Sequence, residues 1–81
     1  MKKTKEEAFL LILYTKAKAK GDFSLHFSKN ALQKEFLYSP KMVDSLTQIL
    51  LKINFLKKID HDTFILTELG KEAAEELSLH D

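Results

Sequence analysis

The side chains of this 81-residue chain that could bind or react are lysines, carboxylates, hydroxyls and three histidines; cysteine and arginine are absent. Without cysteine there can be no disulfide, thiolate metal site or cysteine nucleophile, which fits a reducing cytoplasm. All 13 basic residues are lysine, so the bidentate guanidinium that usually reads guanine or grips phosphate is not available. His26, His61 and His80 are far apart and have no partner one helical turn away, so no metal site is expected. No serine, threonine or lysine stands in a nucleophile motif, and Gly21 and Gly70 are too few to cradle a phosphate. A chain this short has little room for a pocket of ~300 Å³ or more. Neither enzymatic activity nor a cofactor is expected. The remaining chemistry is that of lysine. Lys16, Lys18 and Lys20 form a basic cluster that could hold phosphate, but it is better explained as compensation of a helix dipole. Lys57 and Lys58 could contact phosphate or protect a sheet edge from aggregation.

The elements that must position these groups are marked by caps and periodicity. Thr4-Lys5-Glu6-Glu7 has the spacing of a capping box, and Gly21 can close the helix that follows, over about residues 4–20. Phe23, Leu25 and Phe27 alternate with Ser24 and His26, the period of a short half-buried strand. Ser28 can cap a second helix, about 28–37, with Ala31, Leu32 and Phe36 on one side. Ser39-Pro40 is a stronger start signal, because proline at the first helical position loses no hydrogen bond.

The third helix runs to about Ile53. Its apolar residues Met42, Val43, Leu46, Ile49, Leu50 and Ile53 fall on one face, and Lys41, Asp44, Ser45, Gln48, Leu51 and Lys52 fall on the other. Asn54 tolerates the left-handed conformation that ends a helix. Strands Phe55–Ile59 and Thr63–Leu66 flank the turn Asp60-His61-Asp62, and Thr67 caps a last helix over Glu68–Leu77, with Ser78–Asp81 frayed.

This length supports one domain, residues 1–81. The composition, 44% hydrophobic and 31% charged, belongs to a globular chain and not to a disordered or membrane-spanning one. The net charge of +1 is unevenly placed. Residues 1–20 carry six lysines against Glu6 and Glu7, giving +4, whereas residues 68–81 carry Lys71 against five acids, giving −4. Lys2, Lys3 and the apolar run Ala8–Tyr14 imitate a secretion leader, but Glu6, Glu7 and the downstream lysines do not fit one. The run is also much shorter than the ~20 residues a membrane span needs. A cytoplasmic location is expected.

The order helix, strand, helix, helix, strand, strand, helix resembles the winged helix-turn-helix of small prokaryotic transcription regulators, of the multiple-antibiotic-resistance and phenolic-acid-regulator types. The resemblance runs from Ser28 to Gly70: a helix with Leu32 inward, the link Phe36-Leu37-Tyr38-Ser39, and a helix carrying Val43, Leu46 and Leu50. It continues through Asn54-Phe55-Leu56 into a hairpin and the ending Leu66-Thr67-Glu68-Leu69-Gly70. It implies a mostly helical α+β domain with a small antiparallel sheet, binding double-stranded DNA in transcriptional regulation or a replication accessory role. By position, Lys41, Ser45 and Gln48 would read bases, and Lys52, Lys57 and Lys58 would touch phosphate. A glutamine carboxamide can pair bidentately with adenine. The alternative is a winged helix that binds protein and not DNA, through Leu51, the acidic hairpin tip or the acidic last helix. Monomer and homodimer are equally open.

Overall fold

The computed structural model describes residues 4–36 and 38–79. The described residues form four helices and a three-stranded antiparallel sheet: α1 (Lys5–Lys20), β1 (Phe27–Ser28), α2 (Lys29–Phe36), α3 (Pro40–Lys52), β2 (Leu56–Lys58), β3 (Thr63–Leu66) and α4 (Glu68–Leu79). The strand order is β1-β3-β2. The element order is the expected one, in a mostly helical α+β arrangement.

Each helix start is fixed by a side chain. Thr4 Oγ1 accepts from the Glu7 amide while the Glu7 carboxylate accepts from the Thr4 amide, a complete capping box. Ser28 Oγ accepts from the Ala31 amide at 3.3 Å, and Ser39 Oγ from the Met42 amide at 3.1 Å. The ends of α1 and α3 are closed by left-handed residues, Gly21 at φ 68° and Asn54 at φ 64°. At both ends two backbone amides fold back onto the last turn. Gly21 and Asp22 donate to Lys18 and Ala17, and Asn54 and Phe55 donate to Leu51 and Leu50.

The core gathers Phe9, Leu10, Leu13, Tyr14 and Ala17 of α1 against Leu32, against Val43, Leu46 and Leu50, and against the sheet residues Phe27, Leu56, Phe64 and Leu66. Phe27 stands opposite Phe64 across β1 and β3, with ring centroids 5.7 Å apart. Ala74 brings α4 onto α1.

Several boundaries and faces differ from expectation. The first strand is only Phe27–Ser28. The segment before it turns, because Asp22 takes the Ser24 amide on its side chain and the Leu25 amide on its carbonyl. Phe23 and Leu25 still pack on the core, half-buried, from this loop. Strand β2 omits Phe55 and Ile59 at its ends: Phe55 N–H is used to close α3, and Ile59 begins the turn. On α2 only Leu32 of the pair Ala31 and Leu32 is buried. On α3 the buried stripe is Val43, Leu46, Thr47 and Leu50, while Ile49 and Ile53 are 42% and 47% exposed. The wheel is therefore turned toward Thr47 and Leu51 and away from the two isoleucines. Helix α4 continues through Ser78 and Leu79, with Ser78 Oγ donating to the Glu75 carbonyl. Leu37 of the inter-helix link, and His80 and Asp81, lie outside the described residues. Among the described residues, no helix is long and apolar enough to cross a membrane.

The ending Leu66-Thr67-Glu68-Leu69-Gly70 forms a seam between hairpin and last helix. Thr67 Oγ1 accepts from the Gly70 amide at 3.0 Å and donates to the Asn54 carbonyl at 2.6 Å, while Thr67 N–H donates to the Phe55 carbonyl at 3.1 Å. A Cβ on Gly70 would lie 2.1 Å from that Phe55 oxygen. Only glycine lets the two backbones approach this closely.

Candidate nucleic-acid interface

Helix α3 is held from three sides. It packs on α1, α2 and β2, so only the remainder of its circumference meets solvent. Lys41, Ser45, Gln48 and Lys52 are all exposed. At 100° per residue they fall within an arc of about 60° and run for about 16 Å along the axis. The four residues singled out from sequence are thus one continuous polar stripe, with a carboxamide and a hydroxyl between two amines.

The two borders of the stripe differ. On one side stands Asp44, exposed, whose carboxylate receives Lys29 Nζ from α2 at 3.1 Å. The pair moderates a negative charge that would otherwise face any polyanion alone. Lys29 itself was not identifiable as part of this surface from sequence, since it lies 15 positions before its partner and meets it only through the packing of α2 on α3. On the other border are Met42, Ile49 and Ile53, an apolar margin. Leu51, expected on the polar face, is half-buried and packs against the core. This position follows from the turn of the buried stripe described above.

The hairpin follows directly. Lys57 lies opposite Ile65 and Lys58 opposite Phe64, and both lysines are exposed on β2. At the tip Asp60 accepts from the amides of Asp62 and Thr63, each at 2.9 Å, and from Thr63 Oγ1 at 2.8 Å. The Asp62 amide, followed by the Thr63 hydroxyl, holds the Asp60 carboxyl below its ordinary pKa by stabilising the charged form. Asp62 is used differently. Its side chain accepts from Ser28 Oγ at 2.7 Å and its carbonyl from the Lys29 amide at 2.9 Å, which binds the turn to the start of α2. Both carboxylates of the acidic tip therefore have internal structural roles, and His61 between them is exposed.

The basic cluster at the end of α1 is dispersed in the fold. Lys16 pairs with Glu35 of α2, and Lys18 Nζ lies 5.9 Å from the Tyr14 ring centroid. Among the described residues no three His, Asp or Glu side chains are grouped closely enough to hold a metal ion. The expectation of little room for a concavity is corrected: an open groove of about 500 Å³ lies between α1, α3 and α4. Its lining is apolar apart from Thr4 and three glutamates, Glu6, Glu7 and Glu76. No protein-family model matches the chain, and no curated protein sequence is significantly similar to it.

Proposed function

We propose that the chain is a winged-helix module that binds double-stranded DNA by laying the exposed face of α3 in the major groove, in transcriptional regulation or a replication accessory role. One observation carries this reading: Lys41, Ser45, Gln48 and Lys52 stand exposed in a single stripe on a helix that is held by α1, α2 and β2. The groove of B-DNA is about 12 Å wide and admits a helix. Lysines at the two ends of the stripe can neutralise phosphates on either side, while Gln48 and Ser45 between them can reach base edges. Lys57 and Lys58 on the hairpin add backbone contacts. With lysine as the only cation, affinity comes mainly from counterion release, and sequence preference stays modest.

The test is a titration against a mixed pool of duplex DNA at two salt concentrations. Binding with a Kd of about 10⁻⁴–10⁻⁶ M that weakens as salt rises is expected, and each lysine replaced should lower the slope of log K against log salt by about one. A flat titration at low salt rejects the reading.

A further inference from the structure

We propose that the exposed face of α3 is selective for A·T base pairs, with Gln48 pairing to adenine and Ile49 covering the thymine methyl. The proposal rests on duplex binding through α3 and names the class of DNA that this face prefers. Ile49 follows Gln48 directly and lies one helical turn after Ser45, so it borders the polar stripe. Its side chain is 42% exposed. It shares one concavity with Lys41 and Ser45 and a second with Gln48 and Lys52. An aliphatic group thus adjoins all four members of the stripe.

The chemistry of the base edges decides what such a surface prefers. In the major groove adenine offers an acceptor at N7 and a donor at N6, which one carboxamide meets together, and thymine alone carries a methyl. Guanine offers two acceptors, N7 and O6, best met by the planar fork of arginine. The chain has no arginine. Lysine can also approach guanine, but Lys41 and Lys52 stand at the two ends of a stripe about 16 Å long. The groove is about 12 Å wide, so amines at those ends meet phosphate. The cytosine amine needs an acceptor, and Asp44, the only carboxylate of α3, already receives Lys29 Nζ at 3.1 Å. The middle of the stripe therefore holds one group suited to adenine, one suited to thymine, and a serine that discriminates little.

The experiment uses the full chain and four duplexes of equal length at one low salt concentration. These are alternating A·T, the same with uracil for thymine, the same with 7-deazaadenine for adenine, and alternating G·C. Repeating sequences present the same edges in every register. Fluorescence anisotropy should show the A·T duplex binding at least about fivefold more tightly than G·C. Loss of the thymine methyl should weaken binding about threefold, and loss of adenine N7 about fivefold. Ile49→Ala should abolish the sensitivity to uracil, and Gln48→Ala the sensitivity to 7-deazaadenine. Both variants change exposed side chains, and their thermal unfolding is measured beside the parent; the modified duplexes test the same contacts with the protein unchanged. Equal binding of A·T and G·C, or tighter binding of G·C, overturns the proposal and leaves duplex binding standing. An A·T preference that survives both base modifications also overturns it, in favour of groove shape or flexibility. Sensitivity to a modification that persists in the matching variant does the same. No binding of any duplex rejects the reading on which the proposal rests.

Discussion

At Asp60 one exposed carboxylate organises an entire turn by accepting three hydrogen bonds. These bonds favour its charged form, so its folded pKa lies below the ordinary aspartate value. The contribution to stability is therefore complete above that ordinary value and is lost as pH falls through the lowered, folded one. Asp60→Asn keeps an acceptor oxygen but cannot titrate. The variant should unfold at lower urea than the parent at pH 7, and the difference should close in acid. Thr47 presents the opposite case: fully buried in α3, its hydroxyl has no hydrogen-bond partner among the described residues. Replacing a buried unsatisfied hydroxyl by a methyl of the same shape removes a desolvation cost. Thr47→Val should raise stability by about 1 kcal/mol, read as a shift of the urea midpoint at constant m value.

Among the elements, the seam between hairpin and α4 is the most sensitive to substitution. Alanine at Gly70 gains about 1 kcal/mol in helix propensity but drives its Cβ into the Phe55 carbonyl, and a backbone atom cannot swing aside. Gly70→Ala should cost roughly 2 kcal/mol net, measured by urea unfolding. The same seam shows how far sequence reading reaches. Thr67 and Gly70 are visible as a cap and a small residue at fixed spacing, yet the reason for the glycine is a carbonyl 15 residues away and can be seen only after folding. Helix starts at Thr4, Ser28 and Ser39 were legible because capping is local. The face of α3 was legible only in part: periodicity alone gave Ile49 and Ile53 the same standing as Val43 and Leu50, and packing chose Thr47 in their place. The two-residue β1 was hidden because Phe23 and Leu25 bury themselves from a loop and keep the alternation of a strand. Of the candidate surface, the stripe Lys41, Ser45, Gln48 and Lys52 could be read from spacing, whereas Lys29 and the apolar groove are products of tertiary contact.

For the molecule as a whole, charges of opposite sign intermix on the surface. Lys41 of α3 lines a concavity together with Lys5 and Glu6 of α1, and the Lys29–Asp44 pair sits at the border of the stripe. Its exposed carboxylate opposes any polyanion brought to α3, so Asp44→Asn should tighten duplex binding by about two- to fivefold at low salt. It should also steepen the salt dependence as Lys29 becomes available. Titration of the variant and parent side by side checks this, and unchanged or weaker binding would place the duplex elsewhere on the chain.

The bond from Ser28 Oγ to Asp62, together with the Lys29 amide on the Asp62 carbonyl, makes the hairpin tip part of the entrance to α2. Peeling the hairpin away strips that helix of the anchor on its first residue, so the two segments open as one cooperative unit. Their amide protons should therefore exchange with solvent at a shared rate, and loosening the tip by removing the Asp62 carboxylate should speed exchange along α2 as well.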